Sequence, residues 1–133
     1  MIINCDGGSR GNPGPAAIGI VLWDDDRKII ETHKEYIGIA TNNIAEYKSL
    51  IKALKLALMQ KASSVEVYMD SELVIRQVNG EYKVRAERLL PLFSEVEELK
   101  KEFHNITFSS LPRDDHYQAY ADRLVNEALD AKA

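Results

Sequence analysis

The sequence has one cysteine, Cys5, so it can form neither an internal disulfide nor a zinc site built from several cysteines. No apolar run approaches the roughly 20 residues that cross a bilayer. The N-terminus lacks the basic region and long apolar stretch of a secretory signal, so we expect a cytoplasmic protein without membrane contact. Positive charge is not in excess either, and the net charge of −4 argues against a strongly basic nucleic-acid-binding surface. Nucleic-acid binding is not excluded, because clustered catalytic carboxylates would make a metal-free protein acidic.

The composition that remains is that of an ordinary globular protein, with 45% hydrophobic and 29% charged residues. A length of 133 residues fits one domain, and we see no internal repeat, low-complexity tract or linker. We therefore expect residues 1–133 to form a single domain. Nothing in the sequence fixes the oligomeric state, for which a monomer is the default expectation.

Hydrophobic periodicity predicts the element order β-β-β-α-β-α-α-β-α. The first three strands read as an antiparallel meander, and the later strands alternate with helices. The predicted strands are 1–6, 16–23, 29–37, 65–69 and 106–111. The first three predicted helices run from a cap at Asn42 or Asn43 to about Gln60, over 71–78 and over 89–103. A last helix is capped at or near Asp115 and buries Ala121, Leu124, Val125 and Ala128. This order indicates the α/β class, with a mixed sheet covered by helices.

Four acidic residues lie where a predicted element begins or ends. Asp6 and Asp70 each follow a strand, at the sheet edge where open α/β folds bind ligands. Glu46 lies in the first turn of the first helix, on the side that faces the sheet. Asp122 borders the apolar stripe of the last helix. The four carboxylates can therefore converge at one end of the sheet.

Asp6 opens into a loop over 7–15 that is rich in Gly, Ser, Asn and Pro, which lets the backbone of a ligand come close. Two like charges ~4 Å apart repel by about 4 kcal/mol at an effective dielectric of 20. Four converging carboxylates therefore need either raised pKa values or compensating cations. Two magnesium ions, about 3.5–4 Å apart, would neutralise the cluster and clamp both sides of an in-line phosphoryl displacement. The pattern predicts metal-assisted chemistry on a phosphate ester.

Each acid also has a simpler explanation when taken alone. Asp6 can be a turn residue at a strand end, and Asp70 can be a helix N-cap. Glu46 can complement the helix dipole, and Asp122 can be a carboxylate at the edge of a buried stripe. The set of four, in one order along the chain, favours the functional interpretation.

Together these sites resemble type 1 ribonuclease H. The segments that carry the resemblance are 6–15, 41–47, 68–74 and 121–125, of which the first two are highly specific and the last is weak by itself. The resemblance implies a ribonuclease H-like fold with a five-stranded mixed sheet, an antiparallel meander plus parallel strands, flanked by helices. It implies an endonuclease that hydrolyses the RNA strand of RNA–DNA hybrids and leaves 3′-hydroxyl and 5′-phosphate ends. Double-stranded RNA is a further candidate substrate.

The resemblance also assigns roles to residues. Two Mg²⁺ ions, with Mn²⁺ as a substitute, would be held by the catalytic set Asp6, Glu46, Asp70 and Asp122. Asn12, Asn42 and Asn43 would contact the minor groove, where the 2′-hydroxyl distinguishes RNA from DNA, and Thr41 would hold a phosphate of the DNA strand. The remaining expected substrate contacts are Gly7, Gly8, Ser9, Gly11, Ser71, Glu72 and Arg113.

Three features depart from the family pattern. Glu72 stands where relatives often have a glutamine, and its charge would either weaken substrate binding or approach the metals. The region 79–88 is short and lacks the long basic handle of many bacterial relatives. The loop 113–117 is not a clear match, so His116 is either a catalytic proton carrier or a solvated loop histidine. Alternatively, Arg113 is the functional residue of this loop and contacts a phosphate of the substrate.

Three other functions use comparable features. A catalytically silent nucleic-acid-binding module would lose attraction by keeping four carboxylates. A phosphotransferase or ATPase of this architecture needs two such domains around a cleft. A transposase or resolvase core also clusters carboxylates, but the asparagine-rich segments favour RNA as the target.

Overall fold

The computed structural model describes residues 1–133 and has five strands and four α-helices. The strands are β1 Ile2–Ser9, β2 Gly14–Trp23, β3 Ile29–Ala40, β4 Ser64–Met69 and β5 Asn105–Ser110. The helices are α1 Asn42–Met59, α2 Glu72–Val78, α3 Leu90–Lys100 and α4 Gln118–Lys132, with a 3₁₀ turn at Glu87–Leu89 before α3. None of these helices combines the length and apolar character that a membrane crossing needs.

The five strands form one mixed sheet in the order β3-β2-β1-β4-β5. β1 pairs with β2, and β2 with β3, in the antiparallel sense. β1 also pairs with β4, and β4 with β5, in the parallel sense. The predicted meander joined to parallel strands is therefore confirmed. β1 lies at the centre of the sheet and runs to Ser9, so residues 7–9, which were predicted as a loop, belong to the strand and Asp6 lies within β1. Asp6 comes just after Asn4, the last residue of β1 that pairs with β4, and so lies in the middle of one sheet edge.

The two faces of the sheet are covered unequally. Residues such as Ile3 and Cys5 of β1 and Ile20 of β2 face the main core, which α1, α2 and α3 complete. α4 covers the other face, where Leu124 packs with Val21 and Trp23. Because side chains alternate along a strand, Asn4 and Asp6 point to the side opposite Cys5, which is the side of α4.

The start of α1 differs from the prediction. The N-cap is Thr41, whose Oγ1 accepts a hydrogen bond from the Ile44 amide at 3.2 Å, and not Asn42 or Asn43. The Asn42 side chain accepts hydrogen bonds instead from Ser9, the last residue of β1. Since α1 begins at Asn42, Glu46 lies in the second turn and the first turn holds no acidic residue. This weakens the explanation of Glu46 as a helix-dipole partner, because that effect falls off within the first turn.

The other helix starts agree with the sequence in their chemistry. Ser71, and not Asp70, caps α2, with its Oγ accepting from Val74 N at 3.3 Å. The N-cap of α4 is Tyr117, and Asp115, the predicted cap, lies two residues earlier, where its Oδ2 accepts from the amides of Tyr117 and Gln118, each at 3.1 Å. Asp70 is therefore free for another role.

Candidate active site

One cleft of about 400 Å³ at the edge of the sheet gathers all four predicted carboxylates. They come from four parts of the chain: the middle of β1, the second turn of α1, the residue that follows β4 and the second turn of α4. The residues that line it are Asp6, Gly7, Gly8, Ser9, Arg10, Asn42, Glu46, Asp70, Arg113, Asp122, Val125, Asn126 and Leu129. The convergence predicted from the sequence is present.

Two glycines let the helices approach β1 closely at this point. A Cβ atom on Gly7 would lie 2.2 Å from the carbonyl oxygen of Ala45 and 2.7 Å from the amide of Glu46. Gly19 pairs with Asp6 in the neighbouring strand, and a Cβ there would lie 2.5 Å from the carbonyl oxygen of Ala121. α1 and α4 can therefore present Glu46 and Asp122 on either side of Asp6.

Asp6 is the most buried of the four, with 5% of its surface exposed. Its pKa is raised well above the ordinary value, first by desolvation and then by the charges and hydrogen-bonding contacts of Asp70 and Asp122. A buried carboxyl next to two others favours its neutral form unless a cation is present. The site is thus electrostatically strained when it holds only protein groups.

Glu46 shows the same strain more mildly. Burial raises the pKa of Glu46 to about 7, with a hydrogen bond from Ser71 opposing the shift and the charge of Asp70 adding to it. Ser71 therefore has two contacts, one to the start of α2 and one to Glu46. Ser71 does not line the cleft, and its expected role as a substrate contact stays a prediction.

Arg113 is the basic group closest to the acids. Its Nε lies 3.4 Å from Oδ2 of Asp70, and its side chain is 78% exposed while that of Asp70 is 10% exposed. The contact with Asp70, together with the charge of Asp122, raises the pKa of Arg113. An exposed guanidinium at the mouth of an acidic cleft can turn to a phosphate oxygen when cations replace it at Asp70.

Asn126 and Arg10 are cleft residues that the sequence did not single out. Asn126 Nδ2 donates to the Asp122 carbonyl at 3.1 Å and approaches Asp122 Oδ2 at 3.5 Å. Arg10 pairs with Asp130 at 2.6 Å and reaches Asn126 Oδ1 at 3.4 Å. The spacing of four residues between Asp122 and Asn126 on one helix is the signal that indicates the first contact.

The donor set fits hard divalent cations. All four acids offer oxygen, as magnesium prefers. Burial and the neighbouring carboxylates raise the pKa of Asp6 and Glu46, so a bound cation would favour their charged forms. No three His, Cys, Asp or Glu side chains are arranged as a ready-made ligand set for one ion. Magnesium does not require one, because it typically uses one or two carboxylates and completes its shell with water and substrate phosphate.

A second group of predicted contacts forms the rim of the cleft. Asn42 Oδ1 accepts from the amide of Ser9 at 2.9 Å and from its hydroxyl at 3.1 Å. The amide of Asn42 in turn donates to Asn12 Oδ1 at 3.1 Å. Asn12, Thr41 and Asn43 line an adjoining groove of about 370 Å³ with Arg88. The loop after β1 and the start of α1 therefore form one continuous polar surface.

Three of the expected residues lie apart from the acids. Glu72 bonds to Arg76 one turn along α2, with Oε1 accepting from Nε at 2.9 Å and from Nη2 at 2.8 Å, so its charge is already paired. His116 packs edge-on against Tyr117 with ring centroids 5.1 Å apart and does not line the cleft. Gly11 lies in the loop between β1 and β2, where it has a positive φ of 107°, and it does not line the cleft.

The raised pKa values predict how the metal-free protein responds to pH. Because Glu46 has a folded-state pKa of about 7, above its ordinary value, its contribution to stability is present at acid pH and is lost as the pH rises through 7. We expect this loss to reach about 3 kcal/mol, and Asp6 to act in the same direction. Urea denaturation in EDTA at pH 5 and pH 8 measures it.

The control is Glu46→Gln, which stays neutral throughout. Its free energy of unfolding should fall less between pH 5 and pH 8 than that of the unmodified protein. Equal slopes in the two proteins would contradict the burial of an ionisable Glu46. Adding Mg²⁺ at pH 8 should stabilise the unmodified protein more than the variant.

Comparison with known proteins places the chain in a family. Residues 4–128 match the family described as "Reverse transcriptase-like". The chain is 44% identical over 134 residues to a bifunctional protein of Mycobacterium tuberculosis, covering 100% of this chain and 36% of that protein. It is 41% identical over 125 residues to ribonuclease HI of Halobacterium salinarum, covering 94% of this chain and 62% of that enzyme. The chain thus spans only part of the length of these relatives.

Solved structures agree. The N-terminal ribonuclease H domain of the Mycobacterium tuberculosis protein has a TM-score of 0.93 and 44% identity, over 98% of this chain and 93% of that one. A ribonuclease H1 from compost, solved in complex with an RNA/DNA hybrid, has a TM-score of 0.92 and 44% identity, over 98% and 97% of the two chains. With the strand order and the cleft described above, these matches show that the chain belongs to the type 1 ribonuclease H family.

Proposed function

We propose that residues 1–133 act as one ribonuclease H domain that hydrolyses the RNA strand of RNA–DNA hybrids by two-metal-ion catalysis, leaving 3′-hydroxyl and 5′-phosphate ends. The observation that carries the proposal is the cleft in which Asp6, Glu46, Asp70 and Asp122 meet. A related ribonuclease H1 has been solved with an RNA/DNA hybrid, which supports this class of substrate.

The chemistry follows from the groups in the cleft. Bound Mg²⁺ or Mn²⁺ ions would supply an activated water and neutralise charge on the phosphate. Asp6 within β1 and Asp70 directly after β4 would hold the ions between them, with Glu46 and Asp122 on the two sides. Arg113, at the mouth of the cleft, would orient the phosphodiester once cations take its place at Asp70.

Recognition of RNA is assigned to the amide groups of the rim. The Oδ1 atoms of Asn12 and Asn42 already accept hydrogen bonds from the protein, whereas neither Nδ2 has a protein partner. Both Nδ2 groups can therefore donate to a 2′-hydroxyl in the minor groove, which accepts as well as donates. The hydroxyl of Thr41, whose oxygen caps α1, can donate to a phosphate of the DNA strand.

The direct test uses matched end-labelled RNA–DNA, RNA–RNA and DNA–DNA duplexes of one sequence. We expect ion-dependent cleavage within the RNA strand of the hybrid, weaker cleavage of RNA–RNA and none of DNA–DNA. The RNA products should carry 5′-phosphate and 3′-hydroxyl ends. A chain that binds the hybrid without cutting it in Mg²⁺ or Mn²⁺ would instead be a binding module, and the proposal would be wrong.

Asn42→Asp separates recognition from folding. The variant keeps Oδ1 as the acceptor for Ser9 but removes the Nδ2 donor and adds a charge that repels phosphate. We expect KM for the hybrid to rise about tenfold, from the loss of roughly 1 kcal/mol of hydrogen bonding plus the repulsion. The melting temperature should stay within a few degrees of that of the unmodified protein. An unchanged KM would exclude Asn42 as a substrate contact.

A further inference from the structure

We propose that Gln118, held by Asn4, is a positioning residue that sets the separation of Asp6 and Asp122 and thereby the affinity of the cleft for divalent ions. The inference rests on the proposed function, since it concerns the same cleft. Gln118 and Asn4 do not line the cleft, and neither carries a charge.

The two side chains are joined in a fully buried polar network. Asn4 and Gln118 each have 0% of their surface exposed. Asn4 Nδ2 donates to Gln118 Oε1 at 3.1 Å, and Gln118 Nε2 donates to the carbonyl oxygen of Cys5 at 2.9 Å. Buried amides that satisfy one another define a single arrangement, because any slippage leaves a buried polar group without a partner.

Both ends of this network adjoin a catalytic acid. The Cys5 carbonyl belongs to the peptide group that continues into Asp6, so Gln118 fixes the peptide plane immediately before that residue. Gln118 is also the first residue of α4 and lies four positions before Asp122, on the same side of the helix. The Gln118 side chain therefore connects the backbone next to Asp6 with the first turn of α4, which precedes Asp122.

Asn4 is itself held from the opposite side. Its Oδ1 accepts from Trp23 Nε1 and from Arg27 Nη1, both at 2.9 Å. The Arg27 guanidinium lies 3.8 Å from the ring centroid of Tyr117, the residue before α4. The start of α4 is thus held both through Gln118 and through Tyr117. The close packing of α4 over Gly19 holds the next turn of the helix.

The test variant is Gln118→Met, which keeps the side-chain length and removes both hydrogen bonds. Manganese binding is measured by electron paramagnetic resonance of free Mn²⁺, and kcat and KM are measured on a labelled hybrid. We expect the dissociation constant for Mn²⁺ to rise about tenfold or more, as for residues that orient metal ligands. At saturating Mn²⁺, KM for the hybrid should stay near that of the unmodified protein.

The matched control is Val96→Ala, a buried change on α3 far from the cleft. Both variants should lower the melting temperature, but only Gln118→Met should weaken ion binding. If Gln118→Met loses melting temperature while its Mn²⁺ affinity equals that of Val96→Ala, the residue is merely structural and the inference is wrong.

Asn4→Asp gives a second test if Gln118→Met does not fold. It keeps an acceptor for Trp23 and Arg27 but can no longer donate to Gln118. An added negative charge alone would tighten cation binding, whereas the positioning role predicts weaker binding, so tighter binding would overturn it. Absence of ion uptake and hybrid cleavage in the unmodified protein would instead reject the proposed function, which keeps the two failures distinguishable.

Discussion

Asp70→Asn is expected to abolish cleavage of the hybrid while the fold remains intact. The change removes one charge from the most crowded part of the cleft, beside Asp6, and so removes a ligand for the ions. Metal ions contribute several kcal/mol of transition-state stabilisation, which corresponds to about a thousandfold in rate. Single-turnover cleavage at saturating enzyme, with Mg²⁺ at about 10 mM, measures the chemical step directly.

Although Asp70→Asn should lose activity, its stability should not fall. Asp70 raises the pKa of both Asp6 and Glu46, so its neutralisation relieves repulsion in the metal-free protein. We expect an equal or higher melting temperature in EDTA. Asp26→Asn, the same chemical change in an exposed turn between β2 and β3, should leave both rate and stability unchanged. Turnover near that of the unmodified protein in Asp70→Asn would remove the basis for the catalytic assignment.

Gly7→Ala is expected to cause the largest loss of stability among single methyl additions. The new Cβ would lie 2.2 Å from the backbone oxygen of Ala45, and backbone cannot rotate away as a side chain does. α1 would have to move off β1, at a cost of about 3 kcal/mol or more. Because Glu46 follows Ala45, the same movement should withdraw a catalytic acid. Urea denaturation and the Mg²⁺ dependence of cleavage report the two effects.

Gly8→Ala is the matched stability control. Its Cβ would meet only Val125 Cγ1 at 3.7 Å, an ordinary contact. Alanine also restricts the unfolded chain more than glycine does, so we expect stability to be unchanged or slightly raised. Similar losses in both variants would show that the approach of α1 to β1 does not depend on Gly7.

Secondary-structure elements that are determined by short local residue patterns could be predicted from the sequence. Short apolar runs in β1 and β2 and helical spacing in α1 follow from side-chain burial, and the sheet has the predicted mixed pairing. The four acids could be found because each lies near a predicted element boundary and the set matches one family pattern, although Asp6 lies within β1 and Glu46 and Asp122 lie in second helical turns. The convergence itself depends on Gly7 and Gly19, whose role as contact points between backbones is visible only when the helices are in place.

Predictions that depended on competition between neighbouring polar residues were less successful. Three residues at the start of α1 can cap a helix, and the structure selects Thr41 because Asn42 is engaged with Ser9. Glu72 pairs with Arg76 one turn away, and its expected effect on substrate binding or on the metals stays a prediction. The buried pair Asn4 and Gln118 was not anticipated, since the two residues are 114 positions apart.

Counting bound divalent ions tests the central claim most directly. Manganese is titrated into the protein in the presence of a short RNA–DNA hybrid, and free Mn²⁺ is read by electron paramagnetic resonance. We predict two ions taken up per chain, and uptake reduced to background when Asp6 and Asp70 are both changed to asparagine. Uptake by the unmodified protein no greater than by that double variant would show that the four acids do not form a metal site.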